Sequence, residues 1–189
     1  MTQHWLNRLI LTADVNLSPI PAERIASAVL LPIYQDTHNW RLIMIRRSQQ
    51  MRHHRGQFAF PGGRKDDNDA SLRDTALRET FEEIQLSAQH IDVIAQLPNQ
   101  DAGQSFTMTP FVGMVHDTSQ IKANPYEVSE IFTLPLEPLL QTRHYSHLAI
   151  YRRGTLQTIH FIEIENRVIW GATAAVLYRL AQTNCDQSC

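Results

Sequence analysis

Three carboxylates fall within five positions at "ETFEE": Glu79, Glu82 and Glu83. The cluster follows a Pro61-Gly62-Gly63 step and a run of acidic and polar residues. On a helix at about 100° per residue, Leu77, Phe81 and Ile84 line up as one apolar stripe. The same wheel sends Glu79, Glu82 and Glu83 to the opposite side, with Arg78 one turn before Glu82 and within pairing reach. Like charges crowded on one face cost a few tenths of a kcal/mol per pair, a penalty that a mixed surface would avoid. Carboxylates with no neighbouring His or Cys suit hard cations, Mg²⁺ or Mn²⁺, better than zinc. Such ions polarise phosphoryl oxygens and acidify bound water, and they let an anionic ester dock beside acids that would otherwise repel it. The expected chemistry is hydrolysis of a phosphate ester or anhydride.

A helix must therefore carry the acids, and a close turn must face them. The segment from Asp69 to Ile84 reads as that helix, with Asp69 or Ser71 as its N-cap. "ASAVLLPIY" (26–34) and "WRLIMIRR" (40–47) read as strands joined by a polar turn. "IDVIAQL" and "TPFVGMV" are strands separated by the polar loop "PNQDAGQSFTM". "SEIFTLPLEPLL" runs from strand into a helical turn, and "LAIYRR" and "TIHFIEI" form a hairpin about Gly154. A closing helix begins near Gly171. Trp5, Leu6, Leu9 and Ile10 recur at helical spacing near the N-terminus. Strands outnumber helices without regular βαβ alternation, so the fold class is α/β (α+β), a mixed β-sheet flanked by helices.

A chain of 189 residues fits one domain, with a core at about 25–165 and terminal helices packed on it. Its net charge of −2 excludes a global pull toward nucleic acid or membrane. No apolar run is long enough to span a bilayer, and no secretory signal is read at the N-terminus. The two cysteines, Cys185 and Cys189, read as free thiols in a polar tail, and a cytoplasmic setting is the expectation.

The stretch "GGRKDDNDASLRDTALRETFEEIQL" resembles the Nudix box, with Gly63, Arg78, Glu79, Glu82 and Glu83 on its pattern. Asp69 stands where a Glu is usual, the spacer before Arg78 carries one extra residue, and Gln85 replaces the usual glycine. Upstream, Arg47, Ser48, Arg52, Gly56, Phe60, Pro61, Gly62 and Gly63 match, without a gap, the extra signature of the coenzyme A-hydrolysing Nudix branch. The resemblance implies a Nudix-like α/β/α sandwich and a coenzyme A diphosphatase that gives 3′,5′-ADP and (acyl-)4′-phosphopantetheine. It implies Glu79 and Glu83 as metal ligands, with Glu82 a further ligand or the group orienting water. Glu127, in the loop "NPYEVSE", is the candidate general base, and Glu130 is an ordinary surface charge on the next strand.

For substrate, Arg47, Ser48, Arg52, Gly62 and Gly63 are the expected contacts. Arg46, His53, His54, Arg55, Arg64 and Lys65 add countercharge for a phosphate-rich ligand. Tyr145, Tyr151 and Trp170 are expected to pack rather than stack on a base. The partner is then a small molecule, coenzyme A or a derivative. Rival substrates are ADP-ribose, NADH or a nucleoside triphosphate, and the rival class is a non-catalytic nucleotide sensor. Oligomeric state stays open, a homodimer among the options.

Overall fold

The computed structural model describes residues 5–7, 9, 18–37, 39–51, 54–103, 105–152 and 154–185, with the side chains of Arg152 and Cys185 outside that description. Arg52, His53, Ile10 and Cys189 therefore lie outside the described residues.

The backbone of the fold is β1 (Ile25–Asp36), whose alternate residues feed two separate cores. It turns into β2 (Asn39–Arg47) as an antiparallel hairpin with Ile33 opposite Leu42. Its other edge pairs in parallel with β7 (Phe106–Val115), Ile25 against Phe106 and Leu31 against Val112. That one parallel pair makes the sheet mixed, as expected. Around this spine lie β3 (Phe58–Ala59) and β8 (Val128–Pro135) on β2, β4 (Gly62–Arg64) on β1, and β5 (Ile91–Gln96) and β6 (Gln100–Ala102) on β7. A second, three-stranded sheet is built from β9 (Tyr145–Arg152), β10 (Thr155–Ile164) and β11 (Arg167–Trp170).

Among the described residues, besides the helical Trp5 and Leu9, lie α1 (Leu72–Ile84), the short α2 (Leu136–Leu139) and α3 (Ala172–Cys185). Ala28 and Leu30 of β1 join Ile43, Ile45, Ala76, Ile84, Leu86 and Phe111 in the core beneath α1. Val29, Leu31 and Ile33 turn the other way and join Leu42, Met44, Leu134, Leu177 and Leu180 beneath α3. Trp5 and Leu9, both helical, pack into this second core, with Trp5 edge-on to Trp40. The sheet thus lies between helical layers, and each fully buried aliphatic side chain contributes about 1.5–3 kcal/mol. Among the described residues no helix is long and apolar enough to cross a membrane.

Four local expectations are corrected. Pro-Gly-Gly is not a free turn: Gly62–Arg64 forms a strand, with Ala28 opposite Gly63 and Val29 opposite Gly62. Glycine permits this because a Cβ on Gly62 would sit 2.4 Å from the Ala28 carbonyl oxygen. The polar loop after β5 contains β6, which folds back on Phe106. β11 escaped notice because four residues are too short for a period-2 signal.

The fourth correction concerns α1. Ser71 is its N-cap, accepting from the Asp74 amide, and the helix starts at Leu72 rather than Asp69. Its buried residues are Thr75, Ala76, Thr80, Glu83 and Ile84, whereas Phe81 is 53% exposed. Of the expected stripe Leu77-Phe81-Ile84, Ile84 is buried and Leu77 packs against that core, whereas Phe81 is left outside it. Polar residues take the packed face because each is satisfied there. Thr75 donates to Asp69 (2.8 Å), Thr80 to the Ala76 carbonyl (2.7 Å), and Glu83 accepts from the Gly62 amide (2.9 Å).

Candidate active site

Glu83 is the innermost of the acids, 3% exposed, on the face of α1 that meets β1 and β4. Its Oε2 accepts from the Gly62 amide, and its Oε1 lies 3.5 Å from an Arg47 guanidinium nitrogen. Burial pushes its carboxyl up to about 8, with the Gly62 hydrogen bond and Arg47 opposing and the Glu79 and Glu127 carboxylates adding to the rise. Glu79, one turn earlier, is half-buried at the end of β4. A Cβ on Gly63 would come within 2.4 Å of its carboxyl carbon, so the glycine is what lets strand and helix close up here. Burial also raises Glu79, against the pull of Arg78.

Glu82 points outward. Arg78 bridges it to Glu79, with one guanidinium nitrogen 3.0 Å from each carboxylate. The other two nitrogens bind both oxygens of Asp69 at 2.9 and 3.0 Å, and one of them also donates to the Arg64 carbonyl at 3.1 Å. Asp69 is buried and also accepts from Thr75 and the Asp66 amide. The Arg78 hydrogen bonds hold it well below the usual carboxylate range. The i,i+4 pairing of Arg78 with Glu82 was expected. The bidentate clamp from Asp69 was not, although the box position it occupies marked it out.

Glu127 comes to this site from a segment 44 residues further along. Its charge acts on both Glu79 and Glu83. Two backbone seams bring it there. The Asn124 and Lys122 amides donate to the carbonyls of Glu83 and Ile84 (2.8 and 2.9 Å), and the Ser48 amide donates to the Glu127 carbonyl (2.8 Å). Asn124 also donates its side-chain amide to Glu127 (3.3 Å) and accepts from the Tyr126 amide (3.2 Å). Asn124 was missed in sequence, although Asn-Pro is a recognisable turn initiator. Glu130 lies on β8, and there it pairs with Arg167 at 2.6 Å.

The basic residues divide. Strand alternation sends Arg47 toward Glu83 and Arg46 to the other face of the sheet, where it lies over Phe58. Arg46 is thus not part of the countercharge around the acids. Ser48 is buried, its hydroxyl accepting from the Gln50 amide, so it shapes the turn that holds Glu127. His54 contacts Gln57, and Arg55 donates to the Met51 carbonyl. Gly56, at φ 67°, closes this loop through its amide to the Arg47 carbonyl. Among the described residues, the Arg47 Nε is buried and has no hydrogen-bond partner. Tyr145 is in the core, its hydroxyl donating to the Leu139 carbonyl (2.7 Å), whereas Tyr151 and Trp170 are exposed on the second sheet.

Oxygen donors alone line the acidic side, a set suited to Mg²⁺ or Mn²⁺. Among the described residues, no three such groups converge into a closed metal cage, because Arg78 engages Glu79 and Glu82 and Arg47 engages Glu83. The mutually repelling pair of half-buried Glu79 and buried Glu83 nevertheless fits a divalent ion, whose charge would offset the desolvation of both. A recess of about 290 Å³ opens beside β4, lined by Arg24, Arg64, Lys65, Asp66 and Asp67.

An acidic helix closed against a glycine strand within an α/β/α sandwich defines a class, and the class has a name. A family model described as the NUDIX domain matches residues 24–153, and the chain belongs to the Nudix hydrolase family. Enzymes of this family are pyrophosphohydrolases that generally use divalent metal ions. The chain is 41% identical over 156 residues to a protein of Yersinia enterocolitica called uncharacterized Nudix hydrolase NudL, covering 82% of this chain and 80% of that one. A NudL of Photorhabdus laumondii is 37% identical over 169 residues, with 87% and 90% covered. Among solved structures, the Nudix hydrolase RenU of M. smegmatis superposes with a TM-score of 0.54 at 16% identity, covering 88% of this chain and 89% of that one. A C. elegans Ap4A hydrolase gives 0.51 at 16% identity, covering 61% and 83%. These two likenesses show the fold.

Proposed function

We propose that this chain hydrolyses the diphosphate linkage of coenzyme A, its thioesters or both, releasing 3′,5′-ADP and 4′-phosphopantetheine or its acyl form. The observation that carries the reading is the contact of Arg47 with Glu83. A buried guanidinium donor without a partner calls for an anion, and it lies against carboxylates that call for a cation. A diphosphate held through divalent ions answers both demands.

In this reading Glu79 and Glu83 hold Mg²⁺ or Mn²⁺, which supplies charge that polarises the phosphoryl oxygens and acidifies water. Glu82 lies further out and, through Arg78, sets the orientation of Glu79. Glu127 takes a proton from the attacking water. Water's oxygen bonds to one phosphorus, the bond from that phosphorus to the bridging oxygen breaks, and the electron pair leaves with the other phosphate. Arg47 holds phosphate oxygens, Arg52 is proposed from its place in the signature to do the same, and bare Gly62 and Gly63 keep strand and acids in register. Ser48 holds the Glu127 segment.

Coenzyme A is favoured over a simpler diphosphate by the resemblance of the stretch from Arg47 to Gly63 to the signature of the coenzyme A-hydrolysing branch. Its loop closes on itself through Arg47, Gln57 and Gly56, and it is tied by Ser48 to the Glu127 segment.

The test is a substrate panel. Purified protein with Mg²⁺ or Mn²⁺ is given coenzyme A, acetyl-coenzyme A, ADP-ribose, NADH and a nucleoside triphosphate, and products are identified by mass. Coenzyme A or its thioester should be cleaved with the highest kcat/KM, giving 3′,5′-ADP. Preference for a substrate without the pantetheine arm would overturn the coenzyme A reading. Binding without any product would favour the sensor.

A further inference from the structure

Glu127 stands on a turn rather than on a helix or strand: residues 125–127 lead into β8, which begins at Val128. A glutamate there keeps its side-chain torsions free, and its charge and those of Glu79 and Glu83 repel one another. Left to itself, the side chain would swing away from the other acids toward solvent. A base needs a fixed carboxylate, and the polar atoms of Asn124 are placed to fix it.

Each polar atom of half-buried Asn124 is engaged. Its backbone amide donates to the carbonyl of Glu83, a proposed metal ligand, at 2.8 Å. Its carbonyl accepts from the amides of Glu127 (3.1 Å) and Val128 (2.8 Å), which closes the turn. Its Oδ1 accepts from the Tyr126 amide at 3.2 Å, and its Nδ2 donates to Glu127 Oε2 at 3.3 Å. The orientation of that side-chain amide is dictated. Turned over, it would set nitrogen against the Tyr126 N–H and oxygen against a carboxylate, two contacts of like with like. The Tyr126 amide thus selects the oxygen and aims the nitrogen at Glu127. One residue holds both the backbone of Glu83 and the carboxylate of Glu127.

We infer that Asn124 is a positioning residue of the hydrolytic site: it holds the Glu127 carboxylate at Oε2, fixed relative to Glu83, and leaves Oε1 to take the proton of the attacking water. The inference rests on the reading of Glu127 as general base and goes beyond it by naming what aims that base. An asparagine that served only the turn, as Asn-Pro pairs commonly do, would be replaceable by any residue that keeps the turn. Two substitutions separate the roles. Ser at this position keeps an acceptor for the Tyr126 amide, but its shorter side chain withdraws the donor from Glu127. Asp keeps the acceptor and the shape and has no donor.

Steady-state hydrolysis with Mn²⁺ saturating, on whichever substrate of the panel is cleaved fastest, decides it. Asn124→Ser and Asn124→Asp should each lose kcat by ~10- to 100-fold, the scale of an ångström-sized misplacement of a reacting group. KM and melting temperature should stay near wild type. Glu127→Gln should lose at least as much. Adding Asn124→Ser to Glu127→Gln should cost nothing further, because a residue that acts through Glu127 then has nothing left to aim. Wild-type kcat in both Asn124 variants, beside a crippled Glu127→Gln, overturns the inference and leaves the base assignment standing. A loss that adds in full to that of Glu127→Gln also overturns it, since Asn124 then acts by another route. Wild-type turnover in Glu127→Gln, or no product from any substrate, overturns the reading of Glu127 and the inference with it.

Discussion

Asp69 holds the acidic cluster in place without belonging to it. Both of its oxygens are taken by Arg78, whose remaining guanidinium nitrogen donates to Glu79 and Glu82. Because the folded state depresses the Asp69 pKa, its ionised form stabilises the fold above the unfolded-state value near pH 4, and that contribution fades as pH falls through the folded value. Asp69→Asn should therefore cost about 2 kcal/mol at pH 7, at the modest end for a buried pair because Arg78 is one-third exposed. Urea denaturation of wild type and variant should show the gap closing as pH drops below about 4. At this scale the sequence was informative about residue types and less so about directions. Glu79, Glu83 and Glu127 do come together, and spacing alone placed the first two one turn apart. That Arg46 and Arg47 face opposite sides of a sheet was readable from period 2, since the strand was read through Arg47, yet both were pooled as countercharge.

The exit of α1 is strained. Gln85 is in the left-handed region (φ 56°, ψ 22°), its amide closing the last turn on the Phe81 carbonyl at 2.8 Å. A glycine has no Cβ to clash there, which accounts for the glycine usual at this place in the box. Gln85→Gly should stabilise the protein by about 1 kcal/mol, visible as a rise of about 3 °C in melting temperature. The existence of α1 was legible from its helix formers and its Ser71 cap, but its rotation was not. An apolar count puts Phe81 on the packed face with Leu77 and Ile84. The packed face is decided instead by where Thr80 and Glu83 find hydrogen-bond partners, and those partners lie on strands that the helix sequence does not contain.

The two sheets are joined by a long-range polar tie. Arg167 of β11 pairs with Glu130 of β8 at 2.6 Å and stacks its guanidinium 4.5 Å above the Phe132 ring and 6.0 Å from Phe58. Arg167→Ala should lower stability by about 1 kcal/mol, since both partners are partly solvated. Thermal melts should report that loss, while KM stays unchanged because neither residue touches the acids. Fold class and most strands were legible from alternation and turn residues. The strand order was not, because pairing β1 in parallel with a strand some 80 residues away leaves no local mark.

The account as a whole rests on a buried Glu83 acting beside Arg47 on a diphosphate. Turnover of coenzyme A by wild type and Glu83→Gln, with Mn²⁺ saturating and products identified by mass, tests it most directly. Gln keeps the shape and can still accept from the Gly62 amide, so the variant should melt no lower than wild type. It should release 3′,5′-ADP at least ~100-fold more slowly, the scale expected when a group stabilising the transition state is removed. Equal turnover by the two proteins would contradict the account.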